Sequence, residues 1–130
     1  MEPTERLSES WRHCVGTGRL NLALRSDYRD SLALVQRDIG FRYIRGHGLL
    51  SDDMGVHRKS TVDGSARYSS TYLDQVFDSY LELGLKPFVE LGFMPSALAS
   101  GDDTVFWWKG NITPPRHQSE WAALVRAVVS

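Results

Sequence analysis

The 130-residue chain sets 15 Lys and Arg against 16 Asp and Glu, a formal net charge of -1. That balance excludes the basic stripe of a nucleic-acid groove, and no block of like charge marks a binding tail. At 42% hydrophobic, with Cys14 as the single cysteine, the composition fits one globular core and excludes both a disulfide framework and a multi-cysteine zinc site.

In chain order, residues 1–10 read as a loose lead-in whose polar, acidic start does not resemble a signal peptide. No apolar run reaches the ~20 residues of a membrane helix, so the expectation is a soluble, cytoplasmic protein with no membrane partner. Trp11 to Val15 predicts a short strand, closed by Gly16-Thr17-Gly18 as a turn. That turn lacks the third glycine and the Gly-Lys-Ser/Thr ending of a phosphate loop. From Ser26, read as the N-cap, the residues Tyr28, Leu32, Val35 and Ile39 fall on one helical face, and Gly40 stands where a left-handed terminator belongs. A strand from Phe41 to about Arg45 follows, broken by Gly46-His47-Gly48.

Residues 49–69 are rich in Ser, Asp and Gly and predict a long loop, whose length points to function or to a local hairpin. Ser70 or Thr71 caps a second helix with Leu73, Val76, Phe77, Tyr80 and Leu81 on its buried face, ending at Gly84. Lys86 to Leu91 reads as a third strand. A second long loop carries Phe106-Trp107-Trp108 and Pro114-Pro115, and a third helix buries Trp121, Leu124, Val125 and Val128. Asn111-Ile112-Thr113 matches a glycosylation acceptor, which we read as unused in this context.

The order is strand then helix three times over. Ile39-Gly40-Phe41-Arg42 and Leu83-Gly84-Leu85-Lys86 form a faint repeat at the helix-to-strand junctions. Short junctions before strands and long loops after them describe a doubly wound sheet or a (β/α)8 barrel, with working groups at the strand C-termini. A barrel needs eight such units in about 250 residues, so the chain reads as the N-terminal portion of a longer α/β domain.

Alternation along a strand sets Tyr43, Arg45 and His47 on one face, and Phe88 and Glu90 on one face of the next strand. Glu90 is the expected partner of Arg45, since a buried arginine must be paired; structural pairing and a site role explain the pair equally well. His47, between glycines at a strand tip, is a functional candidate against the alternative of a structural histidine. His13, His47, Asp52, Asp53 and His57 show no metal-ligand spacing, so neither metal nor cofactor is expected. The aromatic run suits either a sugar ring or local core.

Several stretches then resemble one family. Trp11-Arg12-His13-Cys14-Val15-Gly16-Thr17-Gly18-Arg19-Leu20, Phe41 through Asp53, Pro87 through Pro95, and Gly110-Asn111-Ile112-Thr113-Pro114-Pro115 are similar to the N-terminal region of glycoside hydrolase family 39 β-xylosidases. The resemblance implies a (β/α)8 barrel, with residues 11–130 as part of its catalytic domain. It implies retaining release of xylose from β-1,4-linked xylo-oligosaccharides or aryl β-xylosides, using two glutamates at the ends of the fourth and seventh strands. Both are expected to lie beyond Ser130, and no Asn-Glu-Pro occurs before it. The expectation is a chain without catalytic residues that is inactive alone. The alternative is a sugar-binding or scaffold module without catalysis. By resemblance, His47 matches the histidine on the xylose of the first subsite, and Arg45 an arginine near the nucleophile, supported by Glu90. Gly16 and Thr17 would lie on the pocket floor, and Trp107 or Trp108 on its wall. Oligomeric state stays open.

Overall fold

A computed structural model of the chain describes residues 8–130. Of the predicted lead-in only residues 8–10 fall within it: Ser8 accepts from the Ser10 amide and opens a 3-10 turn over Glu9–Arg12. Strand β1 (Cys14–Arg19), helix α1 (Ser26–Ile39) and strand β2 (Tyr43–His47) follow. The loop after β2 holds a short hairpin of β3 (His57–Lys59) and β4 (Ala66–Tyr68), and leads to helix α2 (Thr71–Glu82) and strand β5 (Lys86–Phe88). A second hairpin, β6 (Thr104–Val105) with β7 (Gly110–Asn111), lies in the loop after β5, and helix α3 (Gln118–Val129) comes last. Strands β1, β2 and β5 form one parallel sheet in that order, giving the three expected βα units. Residues 49–69 contain the local hairpin that was one of their two readings.

The helix-to-strand junctions follow from local chemistry. Gly40 takes a left-handed conformation, φ 75°, and returns its N–H to the Gln36 carbonyl. The Gln36 side chain then pairs with both backbone groups of Phe41, each at 2.9 Å. Gly84 repeats the left-handed stop at φ 74°, and Leu85 donates back to the Tyr80 carbonyl. Glycine meets this requirement because a Cβ is strained at positive φ. Ser26 proves to be the first helical residue rather than the cap; Arg25 holds the cap position and its guanidinium grips Asp27.

Strand boundaries differ from expectation by up to four residues. Trp11–His13 stay outside the ladder, and the glycine stretch lies inside β1, where the register against β2 slips between Gly16 and Gly18. Glycine within a strand commonly marks such a bulge. Phe41 is withheld from β2 by its bonds to Gln36. On β5 only Lys86–Phe88 join the ladder, so Val89–Leu91 run past it.

The core lies on one side of the sheet. Ile44, Leu32, Val76, Tyr80, Leu85 and Leu124 are all buried there, with Tyr28, Trp121 and Val128 packed around them. Each fully buried Leu or Ile contributes roughly 1.5–3 kcal/mol. Leu81, expected on the buried face of α2, is 56% exposed. Asn111 is engaged internally: its amide donates to the Gly101 carbonyl at 2.8 Å and its oxygen accepts from the Thr113 hydroxyl at 2.7 Å. Among the described residues no helix is long and apolar enough to cross a membrane.

Candidate functional site

Strand β2 divides its side chains as alternation requires. Ile44 and Gly46 are buried toward the helices, while Arg45 and His47 project from the other face. Arg45 stands in register with Gly16 of β1 and Phe88 of β5. Its guanidinium is ion-paired with Glu90, which lies just past the end of β5. The expected pair forms, but not as a buried one: the Arg45 side chain is 56% exposed and that of Glu90 24%. Among the described residues the helices cover one face of the sheet, and the arginine reaches water on the other. Gly16 is on the Arg45 side with open space above it.

His47 stands in an aromatic group supplied by the loop after β5. Its ring is 5.8 Å from Trp108 and 6.1 Å from Phe106, with interplanar angles of 20° and 26°. Phe106 and Trp108 are themselves 5.4 Å apart at 20°. At these separations no ring lies squarely over another, so the three form offset tiles of one aromatic surface. Phe93 meets all three nearly edge-on, closest to Trp108 at 4.9 Å. The β6–β7 turn sets this up: Phe106 and Lys109 both take positive φ, 63° and 55°. Trp108 is laid against Gly110, where a Cβ would overlap the indole.

Two of the expected site residues stand apart from this group. Trp107 is 89% exposed at the turn and takes no part in the aromatic group; Phe106, 62% exposed, holds the place beside His47 instead. Thr17 faces the helices, its methyl lying where a Cβ on Gly46 would approach within 3.1 Å. It is the residue the bulge displaces, and it lies on the opposite side of the strand from Gly16. Its hydroxyl and that of Tyr80 are both buried, and burial pushes the Tyr80 phenol above its usual range.

The same bulge brings forward a residue that sequence reasoning missed. Beyond it Arg19 stands in register with His47. Its guanidinium lies over the Trp108 ring, 4.4 Å from the centroid, and is ion-paired with Asp53. Asn21 donates to the same carboxylate at 2.8 Å. The signal was present in the glycines flanking Thr17, which mark a bulge within a strand as readily as a turn after one. A cleft of about 590 Å³ lined by Arg19, Asp53, Asp102, Lys109 and Asn111 shares Trp108 with the His47 group, but not His47, Arg45 or Glu90.

The five residues weighed as metal ligands are dispersed. His13 tilts against Tyr43, His47 joins the aromatic surface, and His57 is buried against Tyr68. Asp52 accepts from the Ser96 amide at 3.1 Å while Asp53 holds Arg19. Among the described residues no three His, Cys, Asp or Glu side chains gather as a metal site.

Ser130, the residue beyond which the two catalytic glutamates are expected, stands at the end of α3. It caps α3, its amide and hydroxyl both donating to the Arg126 carbonyl, at 3.1 and 2.6 Å.

The whole chain, residues 1–130, matches the family model described as glycosyl hydrolases family 39. The chain belongs to that family. It is 59% identical over 128 residues to a β-xylosidase of Geobacillus stearothermophilus, covering 97% of this chain and 25% of the relative. A β-xylosidase of Caldicellulosiruptor saccharolyticus is 47% identical over 120 residues, covering 92% and 24%. The crystal structure of a monomeric β-xylosidase from Caulobacter crescentus CB15 superposes with a TM-score of 0.85 at 36% identity, covering 91% of this chain and 23% of that one. The chain thus spans about a quarter of the length of the family 39 relatives it matches. The parallel βα units correspond to part of a (β/α)8 barrel.

Proposed function

We propose that this chain forms one wall and part of the floor of the sugar-binding end of a β-xylosidase active site. The reaction of the whole enzyme, on this reading, is retaining removal of xylose from β-1,4-linked xylo-oligosaccharides or aryl β-xylosides. One observation carries it: His47 and the rings of Phe106 and Trp108 form a single surface at the C-terminal end of β2, the end where barrel enzymes collect their working groups. Such a surface suits a pyranose, whose apolar C–H face packs on rings while its hydroxyls take hydrogen bonds from nearby polar groups. Within family 39, His47 is the residue we assign to the xylose.

Arg45 serves the same site through charge. A fixed cation lowers the pKa of a carboxyl placed beside it, which keeps a carboxylate nucleophile ionised. Glu90 holds the guanidinium in place meanwhile and is committed to that pair. Retention needs two carboxyl groups ~5 Å apart, one as nucleophile and one as acid/base. The chain contains no Asn-Glu-Pro, and we assign Glu90 neither role. The 130-residue chain is therefore proposed to bind xylose without cleaving xylosides.

An NMR titration of the chain with xylose tests this. The expected result is saturable shifts at His47 and Phe106, lost in His47→Ala, with no nitrophenol released from p-nitrophenyl β-xyloside. Unmoved His47 signals at a large excess of xylose would remove the sugar-site reading. Nitrophenol release above a blank would remove the inactivity.

A further inference from the structure

The open face depends on a residue outside the groups so far assigned to sugar or nucleophile. Arg19 extends from the end of β1, Asn21 from the 3-10 turn that follows (Leu20–Leu24), and Asp53 from the turn after β2 (Asp52–Met54). The three meet at one point. The Asp53 carboxylate binds the Arg19 guanidinium and accepts from the Asn21 amide, and the guanidinium lies over the Trp108 ring. Three segments of the sheet side are thereby tied to the hairpin β6–β7, whose own two strands pair over only two positions.

We propose that Arg19 is the positioning residue of this face: clamped by Asp53 and Asn21, it fixes the plane of Trp108 and so the surface completed by His47 and Phe106. Its meaning for sugar binding rests on the function proposed above; its structural test does not. The chemistry asks for arginine in particular. A planar guanidinium can lie flat on an indole while its edge donates to a carboxylate, whereas a lysine ammonium is a point charge that satisfies one partner at a time. Phe93 and Gly110 bound the indole as well, and Gly48 approaches its edge, but among the described residues Arg19 is the charged group laid over the ring. Register explains why Arg19 can do so. The slip between Gly16 and Gly18 places it level with His47, on the ring side of the sheet.

Three variants of the full chain separate positioning from simple anchoring: Arg19→Lys, Arg19→Met and Asp53→Asn. The readouts, taken without sugar, are NOEs between the Trp108 indole and the His47 ring and the ring-current shifts of the His47 protons. Far-UV circular dichroism and urea unfolding report the fold. The expected result is loss of the NOEs in Arg19→Met and in Arg19→Lys, and weaker NOEs in Asp53→Asn, with helical signal unchanged. Xylose affinity, measured afterwards, should fall several-fold in each. Failure of lysine to rescue distinguishes planar stacking from charge alone. Retention of the His47 contacts in folded Arg19→Lys and Asp53→Asn overturns the proposal, even if Arg19→Met does not fold. An unsubstituted chain that binds no xylose but loses its NOEs in the variants removes only the sugar reading.

Discussion

Ile44 and Arg45 are adjacent on β2, yet Ile44 is 1% exposed and the side chain of Arg45 is 56% exposed. The comparison extends to the two faces of the sheet. On the helix side, Leu32, Ile44, Val76, Tyr80, Leu85 and Leu124 are buried against one another as an apolar core. On the open side the side chains are held by ion pairs and ring contacts: Arg45 with Glu90, Arg19 with Asp53, and His47 with Phe106 and Trp108. One face carries the stability and the other carries the geometry. That division is how a barrel enzyme places polar groups without losing its fold, since burial behind the strands supports strained or exposed groups before them.

The largest effect should come from the helix side. Ile44→Ala is expected to cost about 2–5 kcal/mol, as lost transfer energy plus a cavity, read as a lowered urea midpoint with unchanged slope. Next comes a substitution that breaks the open side from beneath. A Cβ at Gly110 would overlap the Trp108 indole and stand 3.1 Å from Phe93. Gly110→Ala should therefore push the indole out of the aromatic surface at about 1–3 kcal/mol, the usual cost of overpacking. Its signature is loss of Trp108–His47 NOEs with the helical far-UV signal retained. Loss of both signals together would mean that the two faces are not separable.

The parts of this division that were legible in the sequence are those coded locally. Gly40 and Gly84 end their helices as expected, because a left-handed terminator depends on the residue that occupies it. The pairing of Arg45 with Glu90 was readable because neighbouring parallel strands bring equivalent ends together. Features that depend on distant partners were not. The limits of β1 are set by β2, and the resulting bulge turned Thr17 away and brought Arg19 forward. Which of Phe106, Trp107 and Trp108 turn inward is decided by a hairpin whose two positive-φ residues have no glycine to announce them. Leu81 had the helical spacing of a core residue, but among the described residues it is left 56% exposed.

A smaller effect lies between the faces, at the base of the β3–β4 hairpin. His57 is 4% exposed, and burial, followed by repulsion from Lys59, lowers its pKa against the opposing pull of Glu120 and Asp52. With the folded value below the unfolded one, near 6.5, the unfolded chain binds more protons as the solution is acidified. The contribution of His57 is complete above that pH and is lost as pH falls through the unfolded value toward the folded one. Urea midpoints should drop between about pH 7.5 and 5, and His57→Gln should flatten the decline. An equal decline in the variant would assign the effect to other groups.

The smallest effect on stability is expected at Arg45, one residue from the largest. An ion pair with one partner 56% exposed and the other 24% gains little, because water screens the charges and two long side chains must be ordered. Arg45→Ala should cost less than about 1 kcal/mol, well below the loss at Ile44. The same variant should still alter the site, since Glu90 loses the cation that orients it. Xylose-induced shifts at His47 would then change in size or saturate at higher sugar concentration while the urea midpoint barely moves. If Arg45→Ala instead destabilised the chain as much as Ile44→Ala, the open face would be a second core, and the polar pair a structural clamp rather than part of a site.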